Sequence, residues 1–541
     1  MAILLEHPGE MVTREDLQKR LWPDGTFVDF EQGLNAAVKR LREALGDSAE
    51  NPRYIETVSR RGYRFIESLT AGPGRIESLA VLPLENLSRD PEQEYFAEGM
   101  TEALINTLAK ISALRVVSRT TAMRYKKVDK TLPQIARELN VDAVVEGTVL
   151  RSGERVRISA QLVQASTDTH LWAETYDEDL RDVLALQAKV ARAIANEIQV
   201  KLTPLDHARF GRVHTVEPEA YDAYLKGRFF WNKRTGVSIK KSAEFFQLAI
   251  EKDANYAAAY AGLADAFVVL GYWGFVAPDE GAGRAKIVAL KSLEIDDASA
   301  EAHASLAFAM LQYDRNFLGA EKEFKRSIEL NPRYATARQW HALCFSVTGR
   351  SEEAITEIKR AVELDPVSSI IHVIFAAILG FASRWEEAIC ESRRALELDP
   401  SVPARWILGW TCLHGGLLER AVSLFQEGVR DSGGAAFFLF GLAHTYALAD
   451  QREAALRIVQ QLKELSEHSY VMPFWIATIY AGLDERDLAL LWLERSYEER
   501  SAWIVLLKVY PWLNEFRSDP RFDDLLRRMN FPEVLKMPIS P

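Results

Sequence analysis

A regular spacing of alanines runs through almost half of the chain and constrains its fold more than any other feature. The alanines at positions 320, 354, 388, 421, 455 and 489 follow one another at intervals of 34, 34, 33, 34 and 34 residues. Ala285 and Ala243 extend the series upstream, with an insertion, GYWGFVAPDEG, between them. A period of this length predicts stacked two-helix units, because each unit buries its apolar side only against its neighbours.

The units also share a recurrent ending, in which Asn331-Pro332, Asp365-Pro366 and Asp399-Pro400 repeat at 34 residues. The stretch RWEEAICESRRALELDP (384–400) has a small residue where two helices cross, and a proline that ends the unit. These features resemble tetratricopeptide repeats. We count eight repeats in residues 215–531, which predicts a right-handed α-helical solenoid, and FRSDPRFDDLLRRM (516–529) resembles the C-terminal cap of such proteins.

The resemblance implies a protein or peptide partner for the concave face of the solenoid. Five aromatic residues fall on the first helices of late repeats: Trp406, Trp410, Phe437, Phe440 and Phe474. Aromatic residues at helical spacing serve either as core packing or as part of a peptide-binding groove. Packing is the simpler interpretation, and the groove remains the alternative. RNA polymerase is a further candidate partner for the chain.

The first 68 residues have a different pattern. Thr13, with Asp16 three residues later, predicts a helix start before REDLQKRLW, whose apolar side is formed by Leu17 and Leu21. A second helix, LNAAVKRLREALG, carries one apolar stripe, formed by Leu34, Val38, Leu41 and Leu45. The segment YIETVSRRGYRFI (54–66) then alternates like two strands around a turn, which predicts a hairpin with Arg60 and Arg61 at its tip.

Positive charge is concentrated on that second helix and on the hairpin. The whole chain has a net charge of −11, so any nucleic-acid site must be a local patch. Residues 1–31 contain three basic and seven acidic residues, whereas residues 32–64 contain seven basic and four acidic ones. A helix fits the major groove of DNA, and an arginine hairpin beside it reaches phosphates or the minor groove.

The order of helix, loop, basic helix and ETV…GYRF hairpin resembles the winged-helix effector domain of OmpR/PhoB-type regulators, in the form found in CadC-like proteins. The match covers residues 1–67. It implies that residues 32–45 form the recognition helix and that double-stranded DNA is the partner. The matching positions give a DNA-binding set in which Arg40 reads bases and the others contact phosphates or flank them: Trp22, Asn35, Lys39, Arg40, Arg42, Thr57, Arg60, Arg61 and Tyr63.

The chain departs from that family in two respects. Gln32 and Ala37 stand where basic or polar phosphate contacts are common, and Ser59 occupies the place of the wing arginine, with Arg60 and Arg61 just after it. The domain of the family opens with a small sheet and a full first helix, of which AILLEH is the only counterpart here, so we expect an N-terminally incomplete winged helix. This type of domain serves in phosphorelays, but no aspartyl phosphorylation is implied without a receiver domain.

Residues 75–203 have the pattern of a small α/β domain. The predicted order is strand, helix, strand, helix, three strands and a helix, from SLAVLPLENLS to VLALQAKVARAIANEIQ. This order resembles the TolB amino-terminal-like domain that follows the winged helix in some CadC-like proteins and accompanies some bacterial cyclases. SRTTAM (118–123) and EGM (98–100) are either turns and caps, the simpler interpretation, or the lining of a small-molecule cleft.

The expectation is therefore a multidomain, mainly α protein: a partial winged helix (1–68), a small α/β domain (75–203) and a solenoid (215–531). The chain lacks the GxxxxGK[ST], HExxH, GxSxG and GxGxxG motifs, so no enzyme, cofactor or metal site is predicted. Residues 366–383 are uncharged, but they fit a buried repeat helix better than a membrane span. We expect a cytoplasmic, DNA-binding transcriptional regulator in signal transduction. The alternatives are an interaction scaffold with a non-functional winged helix and a regulatory partner of a cyclase-type enzyme.

Overall fold

The computed structural model describes residues 2–5, 11–21, 30–45, 47–49, 52, 54–58, 61–65, 76–88, 90–111, 113–165, 167–198 and 215–532. The chain divides into two compact units, Met1–Arg75 and Ile76–Pro541, and each is described by itself. Two residues of the predicted DNA-binding set, Trp22 and Arg60, lie outside the described residues.

The described residues of the first unit form three helices and a three-stranded antiparallel sheet. Its elements are α1 Ala2–Leu5, β1 Met11–Thr13, α2 Arg14–Leu21, α3 Phe30–Leu45, β2 Ile55–Val58 and β3 Gly62–Phe65. The predicted hairpin is present as β2 and β3. Strand β1, which the sequence pattern did not predict, pairs with the other edge of β3. Gly62 permits this pairing, because a Cβ there would clash with the carbonyl oxygen of Val12.

The start of α2 and the core of this unit follow the sequence pattern closely. The backbone N–H of Asp16 donates to the hydroxyl of Thr13 over 3.1 Å, which satisfies one of the free donors at the helix start. The buried apolar residues form one cluster, made of Leu4, Val12, Leu17, Leu34, Val38, Ile55, Tyr63 and Phe65. Leu21 was expected on the same apolar side, but it is the last residue of α2 and is 44% exposed.

The second unit begins with a six-stranded mixed sheet. Its elements are β4 Ser78–Val81, β5 Glu85–Asn86, α4 Glu94–Ala109, β6 Arg115–Val116, α5 Arg119–Met123, α6 Leu132–Leu139, β7 Ala143–Ser152, β8 Arg155–Gln164, β9 Thr169–Asp179 and α7 Val183–Glu197. The strand order is β6-β4-β7-β8-β9, and β5 pairs with β7. The first three strands of that order run parallel, and β8 and β9 continue as antiparallel hairpins.

Eight helix pairs follow between residues 218 and 498. They are α8 Pro218–Asn232 and α9 Gly236–Lys252, α10 Ala257–Tyr272 and α11 Arg284–Ile295, α12 Ala300–Ala309 and α13 Phe317–Leu330, α14 Ala335–Val347 and α15 Ser351–Leu364, α16 Ser369–Phe381 and α17 Trp385–Leu398, α18 Val402–His414 and α19 Leu418–Asp431, α20 Ala436–Leu448 and α21 Arg452–Leu465, and α22 Pro473–Gly482 and α23 Arg486–Glu498. All eight periodic alanines lie on second helices and are at most 8% exposed. The predicted solenoid is therefore present.

The solenoid ends with a segment that turns back along it. Two 3₁₀ turns, Ala502–Leu506 and Pro511–Ser518, precede the last described helix, α24 Pro520–Met529. We call Ala502–Trp512 the inner segment. Phe317, on the second helix of the third pair, stacks on Phe531 at 4.8 Å between ring centroids, so the segment after α24 packs back onto an earlier repeat.

The α/β part and the solenoid share a core within the second unit. Residues of α4, such as Phe96, lie in the same buried cluster as Tyr221 of α8. Beside this cluster, Glu102 of α4 is 5% exposed and accepts hydrogen bonds from Arg228 at 2.8 Å and from Asn232 at 2.9 Å. Burial alone would raise the pKa of Glu102, but Arg228 and Arg119 lower it overall, so the carboxylate stays charged and holds the two parts together.

Candidate nucleic-acid interface and solenoid inner face

Helix α3 presents a polar face because its apolar residues anchor the opposite side. Leu34 and Val38 are each 4% exposed and belong to the core of the first unit. Asn35, Lys39 and Arg40 are exposed on the other side of the helix. A 16-residue helix of this kind has the dimensions needed to enter the major groove of DNA.

Two arginines of the first unit have side chains that are exposed to solvent. Arg40 and Arg61 are exposed, and neither forms an ion pair with any residue that the structure describes. Arg61 follows the turn of the hairpin, where its N–H donates to the carbonyl oxygen of Val58 over 2.9 Å. Its own carbonyl oxygen accepts from the N–H of Arg14 over 3.0 Å. The backbone of the hairpin tip is thus held while the guanidinium group of Arg61 remains available to an anion.

Asn35 is fixed by a small hydrogen-bond network between α3 and the hairpin. Its Oδ1 accepts from the hydroxyl of Tyr63 at 2.9 Å and from Arg14 at 3.1 Å. Arg14 also donates to the Tyr63 hydroxyl at 3.0 Å and lies over the Tyr63 ring. Tyr63 is only 3% exposed. The hydroxyl hydrogen of Tyr63 is therefore donated to Asn35, which joins β3 to α3. The predicted phosphate contact of Tyr63 stays a prediction.

Arg42 and Thr57, both predicted to contact phosphates, contact each other. Arg42 donates from Nη2 to the hydroxyl of Thr57 at 3.0 Å and to the carbonyl oxygen of Ile55 at 2.5 Å. Its Nε is buried and has no hydrogen-bond partner among the described residues. Arg42 thus ties α3 to β2. Thr57 accepts in this pair, so its own hydroxyl hydrogen is still free to donate.

All five aromatic residues that were candidates for partner binding are buried. Trp406, Trp410, Phe437, Phe440 and Phe474 are 4%, 2%, 7%, 0% and 0% exposed. Trp406 stacks on Phe437 with 4.6 Å between ring centroids. Phe440 stacks on Trp475 at 5.4 Å. These contacts are those of core residues.

The inner segment covers these aromatic residues. Trp503 lies 5.6 Å from Trp406 and 6.1 Å from both Phe437 and Phe440 between ring centroids, and its indole N–H donates to the carbonyl oxygen of Tyr272 at 2.8 Å. Tyr510 accepts from the indole of Trp410 at 3.2 Å. A partner would therefore reach the five aromatic residues only if the inner segment moved away, and their role in partner binding stays a prediction.

Buried histidines lie in and near the same region. His444, 1% exposed, stacks on Phe440, and burial lowers its pKa to about 3. His341, 4% exposed, has neither ring nitrogen hydrogen-bonded to a described residue, and burial lowers its pKa to about 4 although Glu357 and Glu321 oppose that shift. Both imidazoles are neutral at pH 7, as an apolar surrounding requires.

The uncharged stretch of residues 366–383 contains α16, a 13-residue helix with a mostly buried surface. Among the described residues, no helix combines the length and the apolar composition that crossing a bilayer takes.

Comparison with known families assigns three regions of the chain. Residues 1–65 match the family "Transcriptional regulatory protein, C terminal". Residues 75–193 match "HilA/YgeH-like transcriptional regulator, second domain", and residues 311–369 and 378–436 match the tetratricopeptide repeat. The middle region, which resembled a TolB amino-terminal-like domain in sequence, is thus similar to a domain of transcriptional regulators.

Similar proteins include regulators and one protein with the provisional name adenylate cyclase 3. The latter, from Rhizobium meliloti (strain 1021), is 37% identical over 235 residues, which are 43% of this chain and 40% of that protein. Transcriptional regulator HilA of Salmonella typhimurium (strain LT2) is 23% identical over 366 residues, 66% of this chain and 63% of HilA. The cholera toxin homolog transcriptional activator of Vibrio parahaemolyticus is 35% identical over 111 residues, 20% of this chain and 35% of that protein. The chain spans less than two thirds of each of these relatives.

Solved structures that are similar to part of this chain include two helical-repeat proteins or complexes. A thermophilic tetratricopeptide-repeat protein of Thermus thermophilus aligns over 36% of this chain and 99% of its own, with 18% identity and a TM-score of 0.31. The Cut9–Hcn1 hetero-tetramer of the APC/C aligns over 64% of this chain and 63% of its own, with 15% identity and a TM-score of 0.40. The chain thus combines an OmpR/PhoB-type winged helix, a HilA-like second domain and tetratricopeptide repeats, and this combination supports its resemblance to CadC-like transcriptional regulators.

Proposed function

We propose that this chain is a cytoplasmic regulator of transcription that binds double-stranded DNA in a sequence-specific way through its winged helix. Helix α3 enters the major groove, and the hairpin of β2 and β3 contacts the adjacent backbone. Arg40 reads base edges, while Lys39 and Arg61 contact phosphates. Two residues outside the described residues join the phosphate contacts in this proposal: Trp22, which matches the family pattern, and Arg60, which directly follows the position of the wing arginine.

The observation that carries this proposal is that Arg40 on α3 and Arg61 on the hairpin are both exposed and have no ion pair within the part of the chain that the structure describes. A surface arginine gains little stability without a partner, and two on adjacent elements suit an anionic surface outside the protein. Arginine is also the residue that most often reads guanine in the major groove, because its fork matches the two acceptors on that base edge.

The internal hydrogen bonds of the winged helix support the same arrangement. The bond from Arg42 to Thr57 and the network of Asn35, Tyr63 and Arg14 both join α3 to the hairpin. They hold the helix and hairpin in one orientation. A rigid frame lowers the entropy that is lost when the surface contacts DNA. In this proposal, Arg42 and Tyr63 act mainly through the elements that they position, and Thr57 retains a hydroxyl hydrogen for a phosphate.

The proposal is tested by selecting duplexes from a random-sequence pool with the full chain, followed by fluorescence anisotropy on the enriched sequence and a scrambled duplex. We expect enrichment, with the selected duplex bound about a thousandfold more tightly or better. The logarithm of the binding constant should fall linearly with the logarithm of the salt concentration. A pool that stays random after repeated selection, with equal binding to both duplexes, contradicts the proposal and favours the interaction-scaffold alternative.

For the solenoid we propose a protein-interaction role, with RNA polymerase as the partner to test first. The tetratricopeptide repeats support a protein partner in general. Because the inner segment covers the inner face near Trp406, the contact would use the outer surface or would displace that segment. Purified RNA polymerase and the full chain should co-sediment. Independent sedimentation of the two proteins contradicts RNA polymerase as the partner.

A second candidate function rests on the relative named adenylate cyclase 3, which shares 235 residues at 37% identity with this chain. The shared region covers 40% of that protein, so it is a module that also occurs in a differently named protein. In this candidate function the chain regulates a cyclase-type enzyme by contact. Adding the purified chain to the Rhizobium protein should then change cyclic AMP formation, and an unchanged rate removes this candidate.

A further inference from the structure

A cleft of about 630 Å³ lies between the α/β part and the solenoid, both within the second unit. One side is formed by strand β6, helix α5 and the residues that follow it, including Arg115 and Arg124. The other side is formed by the turns between solenoid helices, including Arg333 before α14 and Pro366 before α16. Small-molecule sites commonly have volumes of about 300–1,000 Å³, so the cleft is large enough for a metabolite.

The charged residues of this cleft are mainly basic, although the whole chain is acidic. Four cations line it, Arg115, Arg124, Lys130 and Arg333, against two carboxylates, Glu138 and Glu363, which leaves a net charge of +2. Lys130 and Glu138 pair with each other at 2.7 Å. The three guanidinium groups have no ion pair with any described residue of the chain, although Nη2 of Arg115 donates to the carbonyl oxygen of Asn140. The cleft therefore gathers positive charge without neutralising it.

Arg333 is the cation of this lining whose charge is disfavoured by its surroundings. It is half-buried, and its pKa is lowered from the ordinary arginine value by burial and by the nearby positive charge of Arg115. Arg115 comes from the α/β part and Arg333 from the solenoid, so two like charges face each other across the junction of the two parts. Two like charges near each other repel, and an anion bound between them attracts both.

The rest of the lining is apolar or carries hydroxyl groups. Val128, Leu139 and Leu364 contribute apolar surface, and the ring of Tyr125 lies among them. Thr121 adds a hydroxyl, whereas the hydroxyl of Ser118 already donates to Asp365 at 2.8 Å. A ligand that fits has an anionic head for the arginines and an apolar ring or chain for the apolar residues of the lining.

We propose that this cleft binds a small organic phosphate, whose phosphate group is held by Arg115 and Arg333 and whose apolar body lies against Val128 and Leu364. A phosphate dianion matches the net charge of the lining, and guanidinium groups bind phosphate oxygens in pairs. Because each arginine belongs to a different part, the bound phosphate ties the α/β part to the solenoid. The site thereby gives the regulator a means to sense a phosphorylated metabolite, independently of its DNA-binding surface.

The test is isothermal titration of the full chain with two probes, phenyl phosphate and AMP, and with adenosine as an uncharged counterpart of AMP. We expect saturable binding of at least one phosphate probe and none of adenosine. Arg115→Gln and Arg333→Gln should each weaken that binding about tenfold or more, since each removes a charge-assisted contact. Arg333→Lys, which keeps the charge but loses the paired geometry, should give an intermediate loss.

Two controls separate this site from others. Arg326→Gln removes a cation from helix α13 that is exposed, pairs with Glu329 and does not line the cleft, so it should leave binding unchanged. The double variant Arg40→Ala/Arg61→Ala, in the winged helix, should also bind the probe normally, which keeps this result separate from the DNA-binding proposal. Absence of saturable binding by both probes, or binding that survives both Arg115→Gln and Arg333→Gln, overturns the proposal.

Discussion

The buried histidines make a quantitative prediction: the second unit should lose stability as the pH falls below about 6.5. His341 and His444 have pKa values lowered by burial to about 4 and about 3. In the unfolded chain both return to the ordinary value near 6.5, so the unfolded state binds protons first on acidification. Each group's contribution is therefore fully present above pH 6.5 and is lost as the pH falls towards the folded pKa.

The size of the effect follows from these values. At about pH 5 a histidine of the unfolded chain is almost fully protonated, while the buried one in the folded protein is neutral. This difference lowers the free energy of unfolding by about 2 kcal/mol for each residue. The two together should lower the free energy of unfolding by about 4 kcal/mol between about pH 7.5 and about pH 5, which is a large share of the stability of a typical domain.

The assay is urea unfolding of the full chain at both pH values, followed by circular dichroism, for the wild type and for the double variant His341→Gln/His444→Gln. Glutamine does not titrate. Between about pH 7.5 and about pH 5, the free energy of unfolding should therefore fall by about 4 kcal/mol less in the variant than in the wild type, whatever the stability of the variant at neutral pH. Other titrating groups are present in both proteins and largely cancel in the comparison, since the pKa of His414, which His444 also lowers, is set mainly by burial. An equal loss of stability in the two proteins would refute the reasoning.

Three further predictions concern contacts that join elements. Glu102→Ala leaves Arg228 and Arg119 without their shared carboxylate and should destabilise the second unit by about 3 kcal/mol in urea unfolding, whereas replacing the exposed Glu329 should have little effect. Trp503→Ala should lower the free energy of unfolding of the second unit by about 3–5 kcal/mol. It should also increase the binding of an apolar fluorescent dye, because it exposes the aromatic residues that the inner segment covers. Unchanged dye binding would contradict this covering role. Arg42→Ala should lower the stability of the first unit by about 1–2 kcal/mol, measured by hydrogen exchange of β2 amides, because helix α3 loses its bonds to that strand.

Local and periodic features of the fold could be predicted from the sequence. The alanine period identified all eight second helices, since a small residue is required wherever two helices of a repeat approach closely. The hairpin of β2 and β3 followed from alternation around a turn. Both signals depend on neighbours that are close in sequence or related by a fixed repeat.

The contacts that were missed join residues far apart in the chain. Trp503 donates to Tyr272, 231 residues earlier, and no periodicity within the solenoid indicates that a later segment covers its inner face. The sequence pattern of the aromatic residues in late repeats fitted both core packing and a peptide-binding groove. Only the path of the inner segment, which covers these residues, distinguishes the two interpretations. In the winged helix, the family resemblance implied a phosphate contact for Arg42, and its internal bonds to Ile55 and Thr57 were not foreseen. The phosphate contact itself stays a prediction.

The central claim, that Arg40 reads bases while Arg61 contacts the backbone, is tested most directly by anisotropy titrations of Arg40→Ala and Arg61→Ala on the selected duplex and on each of its single-base-pair variants. Lys19→Ala serves as the control, because Lys19 is an exposed cation of the same unit that pairs with Glu15. Arg40→Ala should remove about 1–3 kcal/mol of discrimination at one base pair and leave the others intact. Arg61→Ala should weaken all duplexes alike and reduce the salt slope by about one unit. Equal weakening of every duplex by Arg40→Ala, with the base preferences unchanged, would contradict the account.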